Sequence, residues 1–199
     1  MWSLIAAVTL LAHAAPPELT PTTDGRVTID APAEWKVLVK DRPQMHNVTI
    51  SGGLSTTVTL YWYPLQQGVT HDLLLDVLME TVNDTLPLGE ATELSRHEVP
   101  GMDDRVNAKQ LHAEVTAGIG PLAVTMKVGA VTLIDQPASR VVAAFLVAPP
   151  PTYEELDGIE TLTTIVRSLR LSDDPLRPMP AWWWGAEPPE LLAAPPAQP

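Results

Sequence analysis

Two histidines, His97 and His112, flank the turn-forming stretch Pro100-Gly101-Met102-Asp103-Asp104, and imidazole is the remaining route to a metal site in a chain without cysteine. Strand register decides whether they can share an ion. Centring the turn between Met102 and Asp103 places His97 opposite Ala108 and His112 opposite Glu93. The two rings are then four residues out of register, about 13 Å apart at ~3.4 Å per residue, which one ion cannot bridge. Glu93 with His112 reads more simply as a cross-strand polar pair. Ser55, His71 and Asp72 offer the side chains of a hydrolytic triad. Adjacent residues on a helix point about 100° apart, however, so Asp72 is badly placed to orient His71. Asp72 is better explained as a first-turn charge complementing the helix dipole. His46 has no acidic or histidine neighbour within four positions and reads as a surface residue. Gly118-Ile119-Gly120 opens like a dinucleotide fingerprint, but Pro121 follows, the third glycine is missing and a strand comes next, so it is a hairpin turn. No nucleophile elbow, zinc-protease helix or Walker loop occurs. The expectation is a non-catalytic protein with no cofactor and no metal ligands.

Aromatic residues are the other candidates. Tyr61 and Tyr63 share one face of a strand and Trp62 the other, so each packs under a helix or one face is left open as a partner platform. Trp182, Trp183 and Trp184 stand together in a segment of Pro, Ala, Gly and Glu that cannot build a core of its own. Three readings stay open for them: docking back on the domain, contact with a partner or membrane interface, or a tolerated tail. Trp182, Trp183, Trp184 and Trp62 are thus the candidate partner contacts.

The elements that position these residues follow from hydrophobic period. Short β-rich runs at Arg26 to Asp30, Val37 to Val39, Asn47 to Ser51 and Thr56 to Tyr63 predict strands, the first halted by Pro32 and the third closed by Gly52-Gly53. Leu74, Leu75, Leu78, Val82 and Leu86 then recur at helical spacing behind the N-cap Thr70, and Pro87 and Gly89 end that helix. From Ala91 to Val147 three turn signals divide four strands of an antiparallel meander. Val124 to Ile134 and Val141 to Val147 are nearly continuous apolar runs, which implies cover on both faces. Thr152-Tyr153-Glu154-Glu155 fits a capping box, and Leu156, Ile159, Leu162, Val166 and Leu169 stripe a second helix. The fold class is α+β, an α/β/α sandwich with an antiparallel sheet of about seven or eight strands, one helix after the first hairpins and one at the C-terminal end.

The run Val27-Thr28-Ile29-Asp30-Ala31-Pro32-Ala33-Glu34-Trp35, a strand followed by proline and tryptophan, resembles the opening of the PsbP-like superfamily. The order of strand, Pro-x-x-Trp, hairpin, helix, meander and final helix resembles it as well. This group includes the yeast Ran-binding Mog protein, bacterial DcrB-like proteins and mycobacterial secreted lipoproteins. The resemblance covers about Arg26 to Leu171 and implies an accessory binding role, with Trp35 expected as a buried core anchor beneath the sheet. The chain departs from the secreted lipoproteins in lacking a lipidated cysteine.

Composition sets the compartment and excludes one partner class. Twelve Lys and Arg against 24 Asp and Glu give a net charge of −12, which repels a phosphate backbone, so no nucleic-acid partner is expected. Residues 1–14 read as a signal peptide, with an apolar Leu4 to Leu11 and Ala12-His13-Ala14 before the cleavage point. A buried strand or a mis-assigned start is the alternative, since no Lys or Arg precedes the apolar run. Residues 15–25 read as linker, 26–171 as the domain and 172–199 as a proline-rich tail. No later run would span a bilayer. Together these features point to an exported, periplasmic or secreted binding or accessory module with a protein partner in the envelope. An envelope chaperone holding apolar client segments is the alternative, and an enzyme of unknown type the third.

Overall fold

A computed structural model describes residues 17–24, 27–42, 45–53, 55–85, 91–99, 106–117, 121 and 123–171. The expected signal peptide, the Pro100 to Asp104 and Gly118 to Gly120 turns, the helix-ending Pro87 and Gly89, and the tail with Trp182, Trp183 and Trp184 lie outside these residues. The centre is built from β8 (Val124–Asp135) and β9 (Arg140–Ala148), whose apolar runs are buried through most of their length. Around them seven strands make one antiparallel sheet in the order β3 (Lys36–Arg42), β4 (Met45–Ser51), β5 (Thr57–Pro64), β9, β8, β7 (Val106–Ala117), β6 (Ala91–Glu98). After β5 the chain passes over the sheet as α1 (His71–Thr85) and reaches the far edge as β6. The meander then returns until β9 pairs with β5.

Alternation along the strands divides the core in two. Tyr61, Tyr63, Leu111, Ala130, Ala143 and Phe145 face Leu74, Leu75, Leu78 and Val82 of α1. Val58, Leu60, Trp62, Val131, Ala144 and Leu146 belong to the opposite core, with Leu162, Ile165 and Val166 of α3 (Gly158–Ser168). The expected mixed α+β sandwich is therefore present, with a seven-stranded antiparallel sheet. No helix among the described residues is long and apolar enough to cross a membrane.

Three local expectations need correction. The stretch expected as linker contains β1 (Leu19–Asp24), which pairs along its whole length with β2 (Val27–Pro32). Pro21 is tolerated because β1 is an edge strand, and threonines fasten it: Thr23 and Thr28 hydroxyls lie 3.1 Å apart, and Thr20 Oγ1 donates to Ala31 O at 3.3 Å. β2 leaves the central sheet and forms a second, three-stranded sheet with β1 and β10 (Arg170–Leu171). Its amide at Asp30 donates to Ser168 Oγ at 2.8 Å, which ties that sheet to α3. Finally, Thr152 does not cap a helix. Pro150 and Pro151, with φ already set and no N–H to satisfy, begin α2 (Pro150–Glu155) two residues earlier. The helix then breaks at Asp157, which is left-handed at φ 46° and ψ 63°.

That break seats Tyr153. A Cβ at Gly158 would lie 2.7 Å from its ring, and a Cβ at Gly129 would collide with its hydroxyl. Two glycines on separate elements are thus shaped to one buried tyrosine. Trp35, expected beneath the sheet, is half-buried at the rim of the same core. Its amide closes a turn onto Pro32 O at 2.9 Å, and its indole lies against Gly52, where any side chain would overlap it.

Candidate functional site

α1 begins where Thr70 accepts the Leu73 amide at 3.2 Å, as its N-cap spacing implies. This start opens on a cleft of about 590 Å³ whose polar lining includes Gln66, His71, Asp72, Glu98, Asn107 and Lys109. β7 supplies Asn107 and Lys109, β6 ends in Glu98, and the turn after β5 supplies Gln66.

Both ring nitrogens of His71 are occupied. Nε2 lies 2.7 Å from Asn107 Oδ1 and Nδ1 lies 2.8 Å from Thr132 Oγ1. A carboxamide oxygen only accepts, so the proton sits on Nε2 and Thr132 donates to Nδ1. The other acceptor for that hydroxyl, Lys109 O, is 3.4 Å away. Burial lowers the His71 pKa, the hydrogen bond to Asn107 opposes it, and the Lys109 charge lowers it further, so the ring is neutral at pH 7.

Asp72 does not orient His71. Its carboxylate takes Lys109 Nζ at 2.6 Å and Arg96 at 3.3 Å, and the Lys109 hydrogen bond first, then Arg96, hold its pKa below the usual carboxylate range. Arg96 also grips Glu93 and Asp76, and the Glu93 hydrogen bond chiefly raises its pKa further. Ser55 sits in the exposed β4–β5 turn with φ 74°. His71 and Asp72, the two groups of the suspected triad at the start of α1 that could take part in proton transfer, are thus each engaged by other protein groups. Gln66 is different. It is 2% exposed, and neither polar atom of its carboxamide has a hydrogen-bond partner among the described residues.

Sequence reasoning missed Gln66, Asn107, Lys109 and Thr132. The one available signal was Thr132, the single polar residue in the apolar stretch Val128 to Ile134, which is 0% exposed and serves His71. Trp62, a candidate partner contact, is 5% exposed within the α3-side core, so packing describes it and the platform reading does not. His46 is half-buried with its ring 5.7 Å from that of Trp62, which corrects its assignment to the surface.

The register of β6 against β7 also differs from the sequence expectation. His97 lies opposite Gln110 and His112 opposite Ser95, with an irregularity between Glu93 and Ser95. The two imidazoles are diagonal neighbours with ring centroids 6.4 Å apart. Glu93 serves Arg96 instead of His112. Among the described residues, no group of three histidines or carboxylates could hold an ion.

No family model matches this sequence, and no curated protein is similar to it. Solved structures do share its architecture. The solution structure of cyanobacterial PsbP (CyanoP) from Synechocystis aligns with a TM-score of 0.55 at 13% identity, over 79% of this chain and 95% of that one. The Saccharomyces cerevisiae Ran-binding protein Mog1p aligns with a TM-score of 0.51 at 10% identity, over 78% of this chain and 96% of that one. The chain has a PsbP/Mog1-like α/β sandwich fold.

Proposed function

We propose that this chain is a non-catalytic binding module whose cleft at the start of α1 receives an amide-bearing segment of a protein partner. The observation that carries this reading is the Gln66 carboxamide, buried in the cleft lining with donor and acceptor both unmatched. Leaving such a group unpaired costs about 1–3 kcal/mol, and a peptide amide offers both complementary atoms. The engagement of His71 by Asn107 and Thr132, and of Asp72 by Lys109 and Arg96, supports recognition over chemistry. A yeast protein of this fold is a Ran-binding protein, which supports a protein partner.

The finer reading is an exported protein, DcrB-like in its setting, with residues 1–14 as signal peptide and an envelope partner. The tail from 172 to 199 adds contacts through Trp182, Trp183 and Trp184. Native material is then expected to begin at Ala15, and a retained Met1 would remove the export claim. Gln66→Leu tests the cleft itself. It replaces an unpaired carboxamide with an apolar group of similar size, so melting should stay level or rise while partner capture from native envelopes is lost. A variant that melts lower and still captures the partner would show that Gln66 serves folding alone.

A further inference from the structure

We propose that His97 and His112 form a two-imidazole site for a late divalent transition metal on the open face of β6 and β7. Among the described residues, helices α2 and α3 lie over β8, β9 and β2 and leave this end of the sheet uncovered: His97 is exposed and His112 half-buried. Both side chains project from the same face, because His112 lies two positions beyond Gln110, the residue paired with His97. The observed pairing therefore removes the separation that had ruled the pair out.

Metal–nitrogen bonds of about 2.0–2.1 Å place the centroids of two bridged imidazoles about 5–6 Å apart. The observed 6.4 Å lies just above that range, and the exposed His97 is the side chain with room to turn toward His112. Imidazole must be neutral to ligate. Burial first, then the neighbouring His97 and the Lys127 cation on β8, lower the pKa of His112, which keeps its ring available at pH 7. Lys127 itself is held by Glu154 at 2.7 Å. With two nitrogen donors and water completing the shell, the site favours Cu(II) over Zn(II) and has no use for Mg²⁺ or Ca²⁺, which prefer oxygen ligands.

The test uses the full chain without an affinity tag, titrated with Zn(II) and followed by imidazole NMR, then with Cu(II) for affinity. His97 and His112 resonances should shift together with one midpoint. Either single variant, His97→Ala or His112→Ala, should weaken binding about tenfold or more and release the remaining ring from the shift. Both positions lie outside the buried core, so the variants should melt like the parent. Shifts of His112 that persist unchanged in His97→Ala, or shifts of only one ring in the parent, would overturn the proposal.

Discussion

The two faces of the central sheet come from the same strands, yet they are closed by different means. On the α3 face the fit is one of shape: Tyr153 lies between Gly129 and Gly158, and a small sheet seals the rim. On the α1 face an apolar core is bordered by a polar collar, in which His71 bridges β7 to β8 and Asp72 draws Lys109 and Arg96 together. Shape complementarity is insensitive to protons and salt, whereas a hydrogen-bonded collar responds to both. Stability therefore rests mainly on the α3 face, and responsiveness, with the proposed binding cleft, on the α1 face.

The largest effect should come from Gly129→Ala. Its methyl group would overlap the Tyr153 hydroxyl, and overpacking of this kind costs about 1–3 kcal/mol or more. The loss should be the same at pH 8 and pH 5.5, as read by denaturant unfolding. A variant as stable as the parent would show that the α3 face is loose.

His71→Ala should come next, at about 1–3 kcal/mol near neutral pH, because it strips the close partner from the buried Thr132 hydroxyl and leaves only Lys109 O at 3.4 Å. This loss should depend on pH. Folded His71 has a pKa below the ordinary 6.5, so as pH falls the unfolded chain takes up the proton first. The neutral ring's contribution is therefore whole above about 6.5 and is lost as pH drops from there through the depressed folded value. The gap between parent and variant should narrow over that window. A gap that widens on acidification would mean the ring is charged in the fold.

Arg96→Met should cost about 1 kcal/mol or less, since the carboxylates it gathers are largely solvated, and the loss should fade in high salt. Tyr153→Phe should have the smallest effect. Its hydroxyl is buried with no hydrogen-bond partner among the described residues, so removing it should leave stability level or raise it slightly. A clear drop would reveal a bond that the geometry lacks.

Much of this architecture was legible in the chain. The apolar runs of β8 and β9 announced cover on both faces, and the stripes of α1 and α3 named their buried sides. β1 was hidden because Pro21 and a run of threonines read as linker until β2 supplies a partner. The Tyr153 seat was hidden because Gly129 and Gly158 make sense only once α2 lies on β8. The site was less legible than the fold. Cross-strand register depends on where a turn closes, so a two-residue error separated His97 from His112. The cleft joins Gln66, His71 and Asn107 from three elements, and no local pattern links them.

The most direct test of the account is site-specific photo-cross-linking in native envelopes. A benzoylphenylalanine at Gln67, exposed on the cleft rim, is compared with one at Glu160, exposed on α3. The cleft assignment predicts one discrete protein adduct from position 67, lost in the Gln66→Leu background, and none from position 160. An adduct from position 160 alone, or one from position 67 that survives Gln66→Leu undiminished, would contradict it.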